Sequence, residues 1–575
     1  MESAPRPRPT DLSEQQLGFT PQPAVRWLAP TVLVGTGIKA LLASIFGAYA
    51  DKRELQGSLP ATLHRFADDD GIWLDYVADV GDGFNATYSI ATLLAREQIE
   101  PAGHDPLPRG KLLVMGGDQV YPSASTRAYE DRTKGVYEAA MPVAQDDPPT
   151  LFALPGNHDW YDGLTAFLRV FAQRRPFGGW RTEQTRSYFA VELPQRWWLF
   201  GIDTQFDDHI DAPQLEYFRT AAAELRPGDA IILCVPTPAW VDAGSGGDHE
   251  SYDIIAFFDR EIVRPAGATI RLMLSGDKHH YSRYTERDGT RQSITTGLGG
   301  AYLTATHRLP EKLGLPPAAS RVRPGNPPAT YDLAARYPSK ARSELFAAGI
   351  IRLPWHNPGF WGLSGITQSV VALAVMYGLA GTVGPGPQGF FTLVASWTPA
   401  VIVALIVVLS GLGFARLDPR TPLRAAHTAG ALHATAHLAL SVGWAYAIIW
   451  LYRDVLPDSV FSDWATLILI LAGTPVMIGF LHAELVAVYL MIASRFGINL
   501  NELMAGQSVQ DHKGFLRLHI DPSGTLTCYP IKLPKVCHAW KPDPDGAPSD
   551  PWLRPAGAEL RPELIEAPIV VPHAT

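Results

Sequence analysis

Four short polar clusters stand out in the first half of the chain. They are ADVGDG at 78–83, GGDQVYP at 116–122, LPGNHDWYDG at 154–163 and SGDKHHYSR at 275–283. Each alone is a weak signal, because Asp-Gly and Gly-Asp pairs commonly make turns. Together they supply carboxylate, amide and imidazole groups. Two metal ions bridged by a carboxylate can neutralise phosphoryl oxygens and generate hydroxide at neutral pH, so the set points to phosphate-ester hydrolysis.

The elements around these clusters alternate between strand-like and helix-like segments from Trp73 to about Gly300. The apolar run LDYVADV precedes the helical segment NATYSIATLLAREQI, and KLLVMGG and LFALPG are further strand candidates. This alternation is typical of an α/β domain. Each polar cluster directly follows an apolar run, where open α/β sheets place their binding crevices. The positions of the clusters therefore agree with the rim of an active site.

The clusters, in this order, resemble those of the calcineurin-like metallophosphoesterases. They are similar to the DxG, GDxxY, GNH(D/E), GHxH variant of the purple acid phosphatases. The resemblance covers roughly residues 70–305 and implies an α/β fold, a four-layer α-β-β-α sandwich in which two mixed sheets lie between helices. It also implies a metal-dependent phosphoric ester hydrolase.

The resemblance gives each matching residue a role. Asp79 and His279 would bind the first metal, and Asp118 would bridge both metals. Asn157 would bind the second metal. His158 would lie beside the phosphate as a proton donor or charge stabiliser, and is the candidate catalytic residue.

Two positions depart from the family pattern. The strand AIILCV runs into PTPAW, where the family has a His ligand and this chain offers only Pro236, Thr237 and Pro238. Asp277 replaces the first His of GHxH. An all-oxygen second site suits Mg²⁺ or Mn²⁺ better than Zn²⁺. We therefore expect two divalent ions, with Mn, Mg or Fe favoured and Zn possible, in an enzyme with a loosely held second ion or in a domain whose catalysis has decayed.

Several residues allow a second interpretation. Asp79 and Asp82 could each be a turn residue, and the strand register decides which is the ligand. Tyr121, on the GDxxY position, is a phenolate ligand or a packed aromatic residue. Asp277 is a ligand or a turn cap. His279 fits the motif spacing better than His280, which is a surface histidine or a phosphate contact.

An arginine-rich segment, FAQRRPFGGWRTEQTRSYF, follows the GNHD cluster. Guanidinium groups bind phosphate bidentately and stack on flat rings, so Arg181 and Arg186, with His280, are candidate substrate-binding residues. The arginines could equally form a solvated face or contact anionic lipids. The expected substrate is a phosphorylated small molecule or a lipid-linked phosphoester.

Four apolar stretches in the C-terminal half are each long enough to span a bilayer: about Gly359 to Val383, Phe390 to Ala415, Ala429 to Tyr452, and Trp464 to Leu490. The loops at one end carry Lys340, Arg342, Arg352, Arg416, Arg420, Arg424 and Arg495. By the positive-inside rule, the catalytic domain and the C-terminus face the cytoplasm of this multi-pass membrane protein.

The third and fourth stretches contain ionisable residues. His433 and His437 are spaced i, i+4 on one helical face, and His482 and Glu484 lie in the fourth stretch. Such residues are costly in a membrane and often functional. They have the types for a metal site or a proton relay, although neutral histidines can also simply bond neighbouring helices. A transporter with a regulatory phosphoesterase-like domain is a further hypothesis.

Length and composition limit the number of domains, the expected partners and the use of cysteine. A chain of 575 residues is longer than one hydrophobic core usually supports, so two or more domains are expected. The net charge of −9 gives no basic surface for nucleic acid, which is not an expected partner. Three cysteines are too few for a disulfide framework. The predicted segments are a disordered N-terminus with an amphipathic helix (1–50), the phosphoesterase domain (51–315), a linker (316–356), the transmembrane domain (357–495), and a C-terminal β-hairpin with a disordered tail (496–575).

Overall fold

The computed structural model describes residues 7–46, 52–67, 70–144, 146–205, 209–247, 249–323, 328–383, 389–418, 421–455 and 463–573. The chain forms two compact units. The first comprises Met1–Val25, Gly35–Ala341 and Val509–Thr575, and the second comprises Arg26–Val34 and Arg342–Ser508. The chain thus leaves the first unit after residue 341 and returns to it at residue 509.

The first unit contains two large mixed sheets. In spatial order, the described strands of the first sheet are His64–Arg65, Phe189–Glu192, Trp197–Gly201, Ala230–Cys234, Thr269–Ser275, Gln292–Thr296, Tyr281–Glu286, Ala329–Tyr337 and Lys312–Leu315. Those of the second sheet are Glu563–Leu564, Leu526–Leu533, Lys513–Ile520, Ile72–Val77, Leu112–Met115, Thr150–Ala153, Trp180–Thr182 and Pro176–Phe177, with Ile569–Val571 also paired to Leu526–Leu533. The predicted α/β organisation with mixed sheets is confirmed.

Six strands are labelled in chain order because they carry the later argument: β1 (Ile72–Val77), β2 (Leu112–Met115), β3 (Thr150–Ala153), β4 (Thr269–Ser275), β5 (Lys513–Ile520) and β6 (Leu526–Leu533). β1, β2 and β3 are parallel neighbours in which Val77, Met115 and Ala153 stand in register. All three are mostly apolar and almost entirely buried, as expected for central parallel strands covered on both faces, and β1 also carries the buried Asp75.

Helices pack against these sheets. The apolar segment after the first cluster forms the buried helix Phe84–Ala95. The other α-helices outside the long apolar set are Glu14–Leu17, Pro30–Phe46, Lys52–Gln56, Thr126–Tyr129, Gly135–Ala140, Asn157–Trp160, Thr165–Phe171, Ala212–Ala222, Ala239–Gly244, Glu250–Phe258, Lys340–Ala348, Leu353–His356 and Leu500–Ala505.

The C-terminal segment differs from the sequence-based expectation. The predicted hairpin is present as β5 and β6, which pair antiparallel. β5 also pairs antiparallel with β1, so the hairpin belongs to the sheet that carries the candidate site. The tail expected to be disordered contains short strands, because β6 and a small hairpin, Trp540–Pro542 with Leu553–Pro555, supply partners for its backbone.

The predicted linker also differs. Residues 329–337 of this Pro- and Ala-rich region form a strand that pairs with Tyr281–Glu286. An exposed edge strand offers unpaired backbone groups to any extended neighbour, which composition alone does not reveal. The expected helix after Thr31 is present as Pro30–Phe46, and its apolar part is shorter than a membrane span.

The second unit is built on four long helices: α1 (Pro358–Val383), α2 (Phe390–Phe414), α3 (Leu423–Trp450) and α4 (Asp463–Ala493). All four are long and apolar enough to cross a membrane, which confirms the four predicted apolar helices. Glycines allow close approach between them: a Cβ atom at Gly430 would lie 2.6 Å from the Gly411 carbonyl, and one at Gly479 would lie 2.7 Å from Gly365 Cα. Small residues at helix crossings are typical of membrane bundles.

Candidate metal centre

The candidate ligands follow the aligned ends of the parallel strands. Asp79 lies two residues beyond the end of β1, Asp118 three beyond β2, and Asn157 four beyond β3. Asp277 and His279 follow β4 in the other sheet. The strand ends therefore bring three sequence clusters to one edge of the second sheet, and the fourth cluster follows a strand of the first sheet.

The Tyr121 hydroxyl is the point on which three of these side chains converge. Its Oη lies 2.7 Å from Asp79 Oδ1, 3.2 Å from Asp118 Oδ2 and 3.1 Å from His279 Nε2. His279 Nε2 is also 3.4 Å from Asp79 Oδ1. All four residues are at most 5% exposed. We call Asp79, Asp118, Tyr121 and His279 the tyrosine-centred cluster.

Three aspartates of this edge have left-handed backbone conformations. The φ angles are +60° at Asp79, +50° at Asp118 and +66° at Asp277. Such angles cost free energy in non-glycine residues and persist where surrounding structure enforces them, often at functional sites. The sharp turns direct each carboxylate towards the end of its strand.

Glycines leave room for the carboxylates. A Cβ atom at Gly156 would lie 2.1 Å from Asp118 Oδ1, and one at Gly276 or Gly297 would lie 2.5 Å from Asp79 Oδ2. A side chain at any of these positions would displace the carboxylate. The glycines of the GNH and SGD clusters therefore shape the site without contributing a ligand atom.

The structure distinguishes the two aspartates of DVGD. Asp79 Oδ2 accepts a hydrogen bond from the Asp277 amide (2.9 Å), and its other oxygen faces Tyr121. Asp82 accepts from the amides of Val25 (2.7 Å) and Tyr302 (3.3 Å). Asp79 is thus the member that faces the cluster, and Asp82 fastens neighbouring segments.

The residues expected at the second metal make other contacts. The Asp277 carboxylate pairs with the Lys278 ammonium at 2.6 Å. The Asn157 side-chain amide donates to the Tyr161 hydroxyl at 3.0 Å. Pro236, at the position of the missing His, lies beside Gly117, where a Cβ atom would be 3.6 Å from the Pro236 carbonyl oxygen. His249, in a loop that follows the AIILCV strand, has its Nε2 4.0 Å from Asp253 Oδ2.

His158 is partly buried beside the cluster. Its amide donates to Asp118 Oδ1 at 2.9 Å, and its Nδ1 lies 2.8 Å from the Pro122 carbonyl oxygen. A carbonyl only accepts, so Nδ1 carries a proton and Nε2 carries the lone pair of the neutral ring. Tyr121 and Tyr161 flank the ring at 4.5 and 4.9 Å between centroids. Burial lowers the pKa of His158 to about 4.

Several buried carboxylates lie close together in and around the tyrosine-centred cluster. Burial, and then the charges of Asp79, Asp159 and Asp277, raise the pKa of Asp118 well above its usual value. Burial and the charges of Asp118, Asp79 and Asp277 raise the pKa of Tyr121. Burial alone would raise the Asp277 pKa, but the charge and hydrogen bond of Lys278, together with the interactions of His279 and His158, lower it. Clustered buried carboxylates favour a bound cation.

His279 and His280 have different surroundings. His279 Nε2 faces Tyr121, whereas its buried Nδ1 has no hydrogen-bond partner among the described residues. His280 Nδ1 lies 2.8 Å from Thr304 Oγ1, and both rings are almost fully buried. The surface-histidine interpretation of His280 is therefore wrong.

The two arginines predicted to bind substrate contact other parts of the protein in this structure. Arg186 is buried and donates to the Pro60 carbonyl at 2.7 Å and to the Leu59 carbonyl. Arg181 is half exposed and pairs with Glu183 at 2.8 Å. The Arg186 guanidinium is therefore taken up by backbone carbonyls, which differs from the expected substrate contact.

Sequence reasoning missed Asp159, which holds the GNHD turn together. Its carboxylate accepts from the Gly156 amide (2.8 Å) and the Gln119 amide (3.1 Å), and from the Tyr129 hydroxyl. Burial raises its pKa to about 7. The signal was present, because an acidic residue three positions after a helix start commonly bonds back to the helix N-terminus.

The donor set fits one metal ion better than two. Three oxygens and one imidazole converge at the tyrosine-centred cluster, and an unsatisfied negative charge accompanies them. Within the described ranges, no group of three or more His, Cys, Asp or Glu side chains is already arranged to hold a metal. The Tyr121 hydroxyl contacts both carboxylates of the cluster. A metal here would therefore use Tyr121 as a ligand or move it aside.

Comparisons with known proteins identify no family for this chain. No family model matches the sequence, and no curated protein matches it significantly. Three solved structures share part of the fold. GAP50, the anchor in the inner membrane complex of Plasmodium, is 16% identical with a TM-score of 0.30, over 41% of this chain and 74% of GAP50.

Two further solved structures match over smaller shares of their own chains. Purple acid phosphatase PPD1 from yellow lupin (Lupinus luteus) is 13% identical with a TM-score of 0.27, over 43% of this chain and 46% of PPD1. PhoD is 11% identical with a TM-score of 0.27, over 42% of this chain and 59% of PhoD. The aligned regions span less than two thirds of PPD1 and PhoD, and such low similarity assigns no function.

Proposed function

We propose that this chain is a metal-dependent phosphoesterase with a calcineurin-like catalytic unit, held at a membrane by α1–α4. The observation that carries the proposal is the convergence of Asp79, Asp118 and His279 on the Tyr121 hydroxyl, from strand ends of both large sheets. Three sequence clusters supply this arrangement, and Asp79 of the first cluster is 198 positions from Asp277 of the last. Ligand-type side chains that meet from distant segments favour a functional site over a set of independent turns.

The tyrosine-centred cluster would hold the first ion. Oxygen ligands with one imidazole suit Mn, Mg or Fe, and Zn remains compatible. Such an ion supplies neutralisation of phosphoryl charge and acidification of a water molecule. A second ion would rest on Asp118, Asn157 and Asp277, whose present contacts with Tyr161 and Lys278 support weak binding at most.

His158 would handle the proton. Its Nδ1–H is fixed by the Pro122 carbonyl, and the low pKa leaves the ring neutral at pH 7 with a lone pair on Nε2. A neutral imidazole can take a proton from attacking water, and then deliver it to the leaving oxygen. The hydrogen bond from the His158 backbone amide to the Asp118 carboxylate keeps the ring beside the ligand cluster.

The proposed substrate is a phosphorylated small molecule or a lipid-linked phosphoester. The half-exposed Arg181 and the buried His280 are the candidates for contacts to its phosphate. The basic loops at one end of the apolar helices support an orientation in which the catalytic unit and the C-terminus face the cytoplasm.

A second candidate function is a non-catalytic sensor or scaffold that binds a phosphorylated ligand. The Asp277–Lys278 pair and the proline at position 236 favour it, because both reduce the ligand set of the second ion. The two candidates agree on metal or phosphate binding and differ in turnover.

The test uses the full chain in detergent or nanodiscs. After chelation, Mn²⁺, Mg²⁺, Fe²⁺ and Zn²⁺ are restored separately, and hydrolysis of p-nitrophenyl phosphate and bis(p-nitrophenyl) phosphate is measured. We expect turnover that requires a metal. Asp79→Asn should lower it about 100-fold or more, since even outer-shell ligand partners are worth 10–100-fold. The matched control Asp82→Asn, three residues away, should stay near the wild-type rate.

Each alternative result has a meaning. Metal binding by calorimetry without turnover would support the scaffold. Equal losses in Asp79→Asn and Asp82→Asn would show that the DVGD segment acts only through folding. An absence of both metal binding and turnover, with every ion, would refute the phosphoesterase proposal.

A further inference from the structure

Three histidines are buried together inside the second unit, away from any role in ester hydrolysis. His433 and His437 lie on α3 and His482 lies on α4. His433 and His437 are each 8% exposed and His482 is fully buried. Burying polar rings among apolar helices is costly unless their nitrogens are paired, so the pairing of each nitrogen matters.

The nitrogens form a linear chain of contacts with two further side chains. Ser441 on α3 donates to Gln368 Oε1 on α1 at 2.9 Å, and its Oγ lies 3.3 Å from His482 Nε2. His482 Nδ1 lies 2.5 Å from His437 Nδ1, and His437 Nε2 lies 2.7 Å from His433 Nε2. We call Gln368, Ser441, His482, His437 and His433 the histidine chain.

Donor and acceptor counting assigns one set of tautomers to this chain. A neutral imidazole has one N–H and one lone pair. Because the Ser441 proton goes to Gln368, Ser441 Oγ accepts from His482 Nε2–H. His482 Nδ1 must then accept from His437 Nδ1–H, and His437 Nε2 from His433 Nε2–H. The polarity is consistent throughout and ends in a lone pair on His433 Nδ1.

That terminal nitrogen has no hydrogen-bond partner among the described residues and is buried. The Tyr489 ring stacks on His433 at 3.9 Å between centroids, and the Phe414 ring lies at 5.9 Å. The Tyr489 hydroxyl donates to Asn499, so it is not directed at the chain. His433 Nδ1 is therefore the position where an added proton would bind.

The geometry does not favour a metal. A metal ligated by histidines needs nitrogens converging on one point at about 2.0–2.1 Å. His437 instead uses both ring nitrogens, one towards each neighbour, so the three rings cannot share an ion without rearrangement. In agreement, no metal-binding group of three or more His, Cys, Asp or Glu residues is present in the part of the chain that the structure describes.

Charged neighbours would alter how the chain binds a proton. From α1 the facing group is the uncharged Gln368, from α2 it is Phe414, and from α4 it is Tyr489. Glu484 lies two residues beyond His482, about 200° around the helix and hence on its opposite face. No described contact of the three histidines involves a charged side chain.

We propose that the histidine chain is a one-proton relay within the helical unit. A proton that binds His433 Nδ1 releases the Nε2 proton to His437 Nε2, and the His437 Nδ1 proton then passes to His482 Nδ1. His482 ends with both nitrogens protonated and its Nε2–H donated to Ser441. Only N–H bonds form and break, and one positive charge moves from α3 to α4. This relay is independent of the proposed phosphoesterase activity.

The test is nitrogen NMR of the full chain in lipid nanodiscs with ¹⁵N-labelled histidine, since ring ¹⁵N shifts distinguish protonated from unprotonated nitrogens. We expect Nε2–H on His433, Nδ1–H on His437 and Nε2–H on His482. As the pH falls, the three signals should change together at one midpoint. Any other tautomer set, or three separate midpoints, would overturn the proposal. So would equimolar Zn²⁺ shifting all three signals, which would indicate a metal site.

Two variants sharpen the test. His437→Phe removes the central link, so the His433 and His482 signals should titrate separately. His427→Gln changes an exposed histidine of the same helix and should leave the shared midpoint unchanged. A shared midpoint that survives His437→Phe contradicts the relay. If that variant does not fold, the tautomers of the wild-type chain decide the question alone.

Discussion

The two units of this protein each bury a polar cluster, and the two clusters are balanced in different ways. In the tyrosine-centred cluster, burial and then the charge of Asp79 raise the pKa of Asp118, and the nearby Lys278 ammonium pairs with Asp277. The histidine chain pairs donor to acceptor along three neutral rings, and leaves one lone pair at its end. The tyrosine-centred cluster has no lysine or arginine among its four residues to balance its carboxylates. The histidine chain has one nitrogen that can still accept a proton.

This difference indicates what each site binds. Buried like charges are tolerated where a bound ion or a charged ligand compensates them. A neutral chain of hydrogen bonds needs no ion and responds to protons. The buried pair of Asp75 and Arg517 shows a third way to stabilise a buried charge. Here an arginine of the chain itself balances the carboxylate.

The largest effect is expected at this internal pair. Arg517 on β5 bonds both oxygens of Asp75 on β1, at 2.7 and 3.0 Å, and both side chains are at most 3% exposed. Arg517→Leu would leave Asp75 charged and unpaired, which should lower the free energy of unfolding of the first unit by about 3–5 kcal/mol. Chemical unfolding of the full chain measures it.

The control for this change is the exposed pair of Arg287 and Asp332. Arg287→Leu should leave the unfolding midpoint unchanged, because exposed pairs contribute little. Asp75→Leu combined with Arg517→Leu should recover much of the loss, since no buried charge is left unpaired. A double variant as unstable as Arg517→Leu would contradict this explanation.

The sequence predicted little of this region, for a physical reason. Arg517 and Asp75 are 442 positions apart, and nothing local in FLRLHIDPSG distinguishes a buried arginine from one at the surface. Periodicity identified the hairpin, but strand pairing with β1 depends on the chain returning after the helical unit. Composition predicted disorder in the tail because Pro-rich segments rarely form cores of their own, whereas here an existing sheet supplies the partner.

The second effect is expected at Gly156. Gly156→Ala would place a methyl group against Asp118 Oδ1 and shift that carboxylate out of the tyrosine-centred cluster. We expect metal affinity to fall by about 10–100-fold, the range found for groups that orient metal ligands. Calorimetric titration with Mn²⁺ measures it. The control is Gly314→Ala, where a Cβ atom meets nothing within 4 Å. Unchanged affinity in Gly156→Ala would mean that Asp118 is not a ligand.

The third effect has opposite signs with and without metal. Asp118→Asn keeps the side-chain shape and the acceptor for the His158 amide, but removes one of the crowded charges. Without metal, the variant should be more stable than wild type, because burial and the neighbouring carboxylates, which raise the pKa of Asp118, disfavour its charged form. Added Mn²⁺ should raise the melting temperature of wild type only. Thermal unfolding in chelator and in Mn²⁺ measures both, and a less stable metal-free variant would contradict the charge argument.

The candidate site was easier to predict than its surroundings. Asp79 and Asp118 follow parallel neighbouring strands that end at one edge, so local patterns place these two residues together. His279 follows a strand of the other sheet, and the local pattern does not predict how the two sheets face each other. Arg186 shows the limit, because an arginine beside aromatic residues resembles a phosphate contact until the carbonyls of Leu59 and Pro60 are seen to occupy it. The partners of buried polar groups depend on distant segments, and those partners decide the role.

The smallest effect is expected at the end of the histidine chain. Ser441→Ala removes the hydroxyl that donates to Gln368 and accepts from His482. Hydrogen bonds between membrane helices contribute about 0.6 kcal/mol on average, so the loss of stability should be small.

The polarity of the chain should change more than its stability. Without Ser441, nothing fixes Nε2 of His482 as the protonated nitrogen, and both directions of the chain become possible. We therefore expect ¹⁵N spectra of Ser441→Ala to show mixed tautomers at all three histidines, whereas the control Thr428→Ala, an exposed residue of the same helix, keeps one set. A single unchanged set in Ser441→Ala would show that the direction is fixed elsewhere than at the serine.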